Sequence, residues 1–494
     1  MKTEKTLLVF LVLLLSFLTI QAQTWTQIGQ DIDGDEDEDI FGCSVSLSAD
    51  GSVVAIGARE YWYTGTGYVR VFELLSGNWT QIGQDINGIE VEDGFGNSVS
   101  LSLNGMVVAI KDMNIPGHVR IYENQNDSWI QIGQDIVDES SSHAGAGPNE
   151  VVDLNYDGSI VAVGALVNDA NGNFTGHVRI FENQSGSWAQ IGQDIDGESV
   201  DDYSGSSVDL NSAGSIVAIG APGNDGNGDG AGHVRLYEYQ DGTWVQLGQD
   251  IDGESAEDYS GRSVSLSSAG MTVAIGAPGN NDNGYYAGHV RVYEYQNGTW
   301  VQKGQDIDGE ANEDDSGSSI SISSDGSIVA IGAPSNSGNG EYAGHVRVFE
   351  YTNETWSQIG QDIDGEVEDS FGSSISLNSN GLTVAIGAPW HYDLYNGNVG
   401  KVSVFSFGPS GISTDFLRNQ LSVYPNPTDG VFNLDITNKD VESISISNMI
   451  GQQILAIKSS LQNITFDLSS YESGIYTISV QTKDDIIMTK IINK

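Results

Sequence analysis

Acidic side chains dominate whatever chemistry this sequence can carry. Asp-Ile-Asp-Gly followed by an acid begins at Asp31, Asp194, Asp250, Asp306 and Asp362. Each copy offers carboxylates at i, i+2 and i+4, the oxygen-rich arrangement that a hard cation such as calcium needs. Asp and Gly favour turns unaided, so a structural turn competes with that reading. Asp225-Gly226-Asn227-Gly228-Asp229-Gly230 fits the start of an EF-hand-type loop, with Asp225, Asn227 and Asp229 as candidate metal ligands and Gly at the sixth position. It lacks the acid at position 12, where Val234 to Leu236 is already strand-like, so a flexible Asn/Gly turn is the alternative. Tyr61, Trp62, Tyr63, Tyr285, Tyr286, Trp390, Tyr392 and Tyr395 are aromatics outside any regular pattern, and Tyr61, Trp62, Tyr285, Tyr286, Trp390 and Tyr392 are the candidates for ligand contact. No nucleophile elbow, metal-binding helix motif or phosphate loop is present. The acids are so numerous that choosing a general-acid pair would be arbitrary. The expectation is a protein that is not an enzyme.

The elements that position these residues come from repetition. Gly-Gln-Asp-Ile recurs seven times, starting at Gly29, Gly83, Gly133, Gly192, Gly248, Gly304 and Gly360, with a tryptophan four residues before each. Within the unit from Gly261 to Gln305, Ser263 to Ser267 alternates polar and apolar, the period of a strand. Ser268-Ala269-Gly270 reads as a tight turn, Thr272 to Ile275 as a second strand, Gly279 to Tyr286 as a polar loop, His289 to Glu294 as a third strand, and Thr299 to Gln302 as a fourth after the Asn297-Gly298 hairpin. Four antiparallel strands per repeat predict a propeller blade. The last repeat lacks a tryptophan strand, and the first begins with an orphan one, Trp25 to Ile28. That orphan can complete the last blade, giving an all-β, seven-bladed β-propeller with no open edge.

Loops after the second and fourth strands of such a blade lie on one face, so the acid is expected there, with binding on the same side. His118, His177, His233, His289 and His345 each precede Val-Arg on a third strand. One histidine per blade stands far from the next, whereas metal ligands converge within about 2 Å of one ion. They therefore read as packing residues, with Arg120, Arg179, Arg235, Arg291 and Arg347 partnering nearby acids. The regular tryptophans read as packing anchors rather than sugar platforms. Cys43, the only cysteine, stands where other repeats carry Asn97, Arg262, Ser318 or Ser373, so it reads as a packed small residue.

Phe41-Gly42 with Gly57-Ala58, Phe371-Gly372 with Gly387-Ala388-Pro389, and Gly-Ala-Pro again at Gly220-Ala221-Pro222 and Gly332-Ala333-Pro334 resemble the FG-GAP repeat of integrin α-chain propellers and many bacterial surface proteins. The resemblance covers residues 24–407 and implies a binding or adhesion propeller. The family's Asp-rich calcium loop between the Phe-Gly and Gly-Ala-Pro strands is replaced here by a short turn such as Ser324-Asp325-Gly326, so its standard calcium sites do not carry over.

The sequence changes character after a Gly/Pro/Ser-containing linker at 409–419. Short alternating strands in 420–494 predict a small Ig-like β-sandwich. Tyr424-Pro425-Asn426-Pro427, a turn at Asn448 to Gly451, Gly474-Ile475-Tyr476 and Lys490-Ile491-Ile492 resemble the C-terminal sorting domain of the Bacteroidetes type IX secretion system. Tyr424, Pro425, Asn426, Pro427, Gly474, Tyr476 and Lys490 carry that sorting motif. The resemblance implies a partner in the secretion machinery and removal of the domain. An ordinary Ig-like adhesive module is the alternative.

Lys2 and Lys5 ahead of the apolar run Leu7 to Leu18, with Ala22 at a small-residue cleavage point, make residues 1–22 a signal peptide. No other stretch is long and apolar enough to span a membrane, so no transmembrane segment is expected in the mature chain. The net charge of −49 falls almost wholly on residues 23–419, which hold 59 acids against 12 bases. Such a surface repels nucleic acid and anionic lipid, and favours cations, basic partners or solubility. The expectations are thus a signal peptide (1–22), a propeller (23–408), a linker (409–419) and a sorting domain (420–494). The protein is expected to be secreted or held on the outer cell surface, binding a surface glycan or protein, with calcium as the one cofactor considered. Two further readings are a glycosidase or lyase on a propeller scaffold, and a structural surface or matrix protein. Symmetry separates them, because an enzyme must break the repeat with convergent unlike residues.

Overall fold

The computed structural model describes residues 23–35, 39–59, 65–89, 94–113, 117–137, 151–166, 173–393 and 397–409, and the segments 421–424, 430–436, 441–447, 453–458, 463–471, 474–482 and 486–493. Residues 1–22, read from sequence as a signal peptide, lie outside them. All regular elements among the described residues are β-strands.

Seven antiparallel sheets form the propeller. Blade five is representative: Ser263–Leu266, Thr272–Ala277, His289–Gln296 and Thr299–Gln302 pair in chain order. A short fifth strand, Ile307–Asp308, lies beyond the sequence expectation. It is the middle of an Asp-Ile-Asp-Gly loop, and it doubles back so that Asp308 pairs with His289 and Ile307 with Val290. The loop read as a turn or a cation site is thus partly sheet.

A blade cannot bury its faces alone. Val264, Leu266, Val273, Ile275 and Trp300 of blade five share one apolar cluster with Ile216, Ala218, Val234 and Leu236 of blade four. The cores of the propeller are therefore the spaces between blades. The ring closes as expected from the orphan strand. Gln23–Gln27 pairs with Lys401–Pro409, Trp25 opposite Phe407, and a single cluster joins Val402 and Val404 of blade seven to Val45, Val54 and Trp79 of blade one. Pro409, assigned to the linker from sequence, pairs with Gln23 as the last residue of that strand.

Two belts tie neighbouring blades. At the rim, each tryptophan Nε1 donates to a carbonyl of the preceding blade, as Trp300 does to Leu247 O at 2.7 Å. The Gln of Gly-Gln-Asp-Ile clamps the backbone of the next tryptophan from both sides, Gln249 Nε2 donating to Trp300 O and Trp300 N donating to Gln249 Oε1. Around the axis, each first strand donates one backbone N–H to a polar side chain of the previous first strand. Leu47 bonds Ser376, Leu101 bonds Ser46, Leu154 bonds Ser100, Leu210 bonds Asp153, Leu266 bonds Asp209, Ile322 bonds Ser265 and Leu377 bonds Ser321.

The C-terminal region forms two sheets, one of Leu421–Tyr424, Val431–Ile436 and Asn463–Asp467, the other of Val441–Ser447, Gln453–Ile457, Gly474–Thr482 and Ile486–Asn493. Phe432, Leu434, Ile444, Phe466, Ile478 and Val480 fill one core between them. No helix among the described residues is long and apolar enough to cross a membrane.

Candidate functional site

The first strands converge at the axis because only their Val, Ile and Leu side chains enter the spaces between blades. The alternating serines are left facing inward. They enclose a cavity of about 240 Å³ lined by all seven first strands and by turn residues including Leu103, Tyr156, Ser212 and Ser268. Those turns follow the first strands, so the cavity lies toward the short-turn face. This differs from the sequence expectation, which placed binding among the long acidic loops of the opposite face. The physical reason is that small Ser side chains leave room at the axis, whereas the long loops pack on one another between blades.

The belt breaks its own pattern at one place. Five of its side chains are serine, and the two in adjacent blades three and four are Asp153 and Asp209. Asp153 Oδ2 accepts from Leu210 N at 2.8 Å, and Oδ1 accepts from Ser100 Oγ at 2.9 Å. Asp209 Oδ2 accepts from Leu266 N at 2.7 Å. The two carboxyl groups lie near enough that the charge of Asp153 acts on Asp209. Burial pushes Asp153 up to about 6, against the opposing pull of Leu210 N–H and Ser100. Burial, and then the charge of Asp153, push Asp209 well above the carboxylate range. Like charges side by side in a buried site oppose each other's ionisation. A carboxylate beside a carboxylic acid in a concave site can accept one proton and deliver another.

Sequence alone singles out no such pair. Asp153 and Asp209 lie 56 residues apart, each at a polar position of an alternating strand, and only the ring sets them side by side. The signal available was that two first strands read Val-Asp-Leu where the others read Val-Ser-Leu or Ile-Ser.

The structure also gathers the histidines, not with each other but with acids. His233 meets Glu198 and Asp250, His289 meets Glu254 and Asp306, and His345 meets Glu310 and Asp362, with ligand atoms all within 4.8 Å of one another. His177 with Asp194 and Asp196, and His391 with Glu366 and Asp369, form related groups in blades three and seven. The arginine two residues on reaches the same glutamate, Arg235 Nη1 lying 3.3 Å from Glu198 and Arg291 Nη1 3.2 Å from Glu254. Each Asp-Ile-Asp-Gly-Glu loop serves two clusters. Its first Asp belongs to one blade and its Glu to the next, as with Asp250 and Glu254.

The other sequence candidates are placed as follows. Asp225 Oδ1 accepts from Gly230 N at 2.8 Å, Asn227 Nδ2 donates to Gly253 O at 2.7 Å, and Asp229 O accepts from Glu257 N. The last two tie the loop to the following one. Tyr285 is 62% exposed and packs edge-on against Tyr286, with ring centroids 4.7 Å apart. Trp390 and Tyr392 are also exposed. Tyr61, Trp62, Tyr63 and Tyr395 lie outside the described residues. In the C-terminal region, Tyr424 ends a strand, Gly474 opens one, Tyr476 is buried in the sandwich and Lys490 pairs with Thr477. Pro425, Asn426 and Pro427 lie outside the described residues. Burial pushes the Cys43 thiol up.

Comparison with known proteins bears on two expectations. Residues 422–494 match the family described as the secretion system C-terminal sorting domain. The chain therefore carries a type IX sorting domain and is exported to the cell surface or beyond. Ulvan lyase NLR42 of Nonlabens ulvanivorans is 29% identical over 101 residues, 20% of this chain. The match spans 19% of that relative's length, about a fifth of it. The periplasmic gluconolactonase of Pseudomonas aeruginosa is 14% identical with a TM-score of 0.47, covering 66% of this chain and 85% of that one. A putative 6-phosphogluconolactonase from Bacteroides fragilis is 14% identical with a TM-score of 0.47, covering 71% and 97%. The expectation of a protein that is not an enzyme is corrected by the match to a lyase. Its premise, that no blades break the repeat with convergent unlike residues, fails at Asp153 and Asp209.

Proposed function

We propose that this is a secreted carbohydrate-cleaving enzyme of the lyase type, with Asp153 and Asp209 as its acid–base pair in the axial cavity. The observation that carries this reading is the replacement of two adjacent belt serines by buried carboxyl groups that line the axial cavity. Elimination needs one base, one acid and no water between them. The stretch shared with an ulvan lyase supports the same direction.

A cavity of about 240 Å³ falls just below the usual ligand-pocket range and suits a single sugar unit at a chain end. The turns around it carry acids only at Asp50, Asp157 and Asp325, so an anionic sugar meets less repulsion there than at the acidic loops. Tyr285, Tyr286, Trp390 and Tyr392 serve as outlying glycan contacts on the other face. The blades are of FG-GAP type in this reading. Their Gly-Ala pairs support it, because a Cβ at Gly57 or Gly387 would lie 2.0 or 2.1 Å from the carbonyl of Gly96 or Gly42, the glycines of neighbouring blades at the Phe-Gly position. Residues 410–419 are the linker to the sorting domain.

The test is to incubate the full secreted chain with a panel of uronate-containing and neutral polysaccharides. Ultraviolet absorbance of unsaturated ends reports elimination, and reducing ends report cleavage of either kind. Asp153→Asn and Asp209→Asn should each abolish product, and activity should rise as pH passes about 6, where Asp153 ionises. Cleavage without unsaturated ends, or activity that survives both substitutions, would remove the pair from this role.

A further inference from the structure

We propose that blades four, five and six each bind one transition-metal ion of the zinc class between a buried histidine and two carboxylates. The ligands are His233 with Glu198 and Asp250, His289 with Glu254 and Asp306, and His345 with Glu310 and Asp362.

The acids alone would not make a site, since this face is acidic throughout. The histidines supply the independent observation. His289 is 1% exposed, and neither ring nitrogen has a hydrogen-bond partner. His233 and His345 are each 2% exposed, and their Nε2 atoms are likewise unpartnered. A buried polar nitrogen without a partner is uncommon in native proteins and calls for an unplaced water or ion. In each cluster a ring nitrogen lies within 4.8 Å of a carboxylate oxygen from both acids, which come from two different loops.

Charge and donor type select the ion. Two carboxylates against one guanidinium leave each cluster with a net negative charge, which a divalent cation neutralises. One imidazole nitrogen with two carboxylate oxygens is a donor set for zinc and its neighbours, while calcium takes oxygen ligands in greater number. Donors must close to about 2.0–2.2 Å from zinc. The glutamates, with side chains 38–47% exposed, are free to swing inward. The arginines then act from behind, orienting the glutamates as outer-shell partners. Blade seven differs, because His391 Nδ1 is already bonded to Asp369 at 2.8 Å, so it is left out of the proposal.

The full chain, stripped with a chelator and then loaded with zinc and desalted, should retain about three ions per molecule. Cobalt(II) in place of zinc should give the visible absorption of a low-coordinate site with nitrogen ligation, and zinc should bleach it. Glu254→Gln and Asp306→Asn remove ligands at partly exposed positions. Each should lower the retained zinc and the cobalt band by about one third, measured at a temperature where circular dichroism shows both metal-free variants folded. Should one variant fold poorly, the other decides. Zinc retention that is unchanged in both variants, or a cobalt spectrum no different from the hydrated ion, would overturn the proposal.

Discussion

Gln361 and Trp25, 336 residues apart, exchange two hydrogen bonds: Gln361 Nε2 donates to Trp25 O at 2.9 Å, and Trp25 N donates to Gln361 Oε1 at 3.2 Å. Six other Gln–Trp pairs repeat this clamp between consecutive blades, and this one joins the last interface to the first strand of the chain. The Trp25 indole adds a bond to Ile359 O at 2.9 Å. The clamp is therefore the outer latch of the ring, set by the same tetrapeptide that marks each repeat.

Gln361→Ala should destabilise the propeller by about 1–3 kcal/mol, because it leaves a backbone donor and acceptor short of partners. Trp25→Ala should cost more, about 3–5 kcal/mol, through the cavity it opens. Urea unfolding of the full chain, followed by tryptophan fluorescence, measures both. Equal midpoints for wild type and Gln361→Ala would mean that strand pairing alone closes the ring.

The Asp153–Asp209 pair makes stability fall with rising pH. Both folded-state values are raised, so the folded protein holds its proton more tightly than the unfolded chain. The part that comes from Asp153 is fully present below about 4 and is lost as pH rises through about 6. Asp209→Ser restores the residue type of the other five blades. It should raise stability at pH 8 and change little at pH 4. Melting temperatures across that range would show a flatter pH profile for the variant; parallel profiles would refute the raised values.

Asp369 has the opposite sign. Burial alone would raise it, but the hydrogen bond from His391 and the ammonium of Lys401, 3.0 Å from Oδ2, hold it below the usual range. Its contribution is present above about 4 and lost as pH falls through the folded value. Asp369→Asn should cost about 3–5 kcal/mol near neutrality, since it strands a nearly buried lysine. The deficit should shrink on acidification, and a deficit independent of pH would point to packing instead.

The Gly-Ala pairs mark close approaches between blades. A Cβ on Gly276 would sit 2.1 Å from the carbonyl oxygen of Gly317 in the next blade, with Ser263 Oγ at 2.3 Å. Backbone there cannot yield without moving a first strand. Gly276→Ala should therefore lower stability by more than about 2 kcal/mol, although alanine is a small addition elsewhere. A chemical-denaturation midpoint within error of wild type would show that the interface slides to accommodate it.

The sequence by itself determined the repeat, the four main strands of each blade, the closing of the ring and the sorting domain. These are legible because strand alternation, Asn-Gly and Ser-Asp-Gly turns and the tryptophan before Gly-Gln-Asp-Ile are local features, and the orphan strand at Trp25 had one vacancy to fill. The fifth strand at Ile307–Asp308 was not legible, since two residues show no periodicity. Nor were the sites. Asp153 and Asp209 each look like one polar residue in an alternating strand, and only the closure of seven strands on one axis sets them in one cavity. Asp250 and Glu254 are neighbours in sequence, yet they face different histidines because the loop between them crosses from one blade to the next. Strand identity is set within a few residues of chain, whereas convergence of side chains is set by the register between blades, which only the tertiary structure decides.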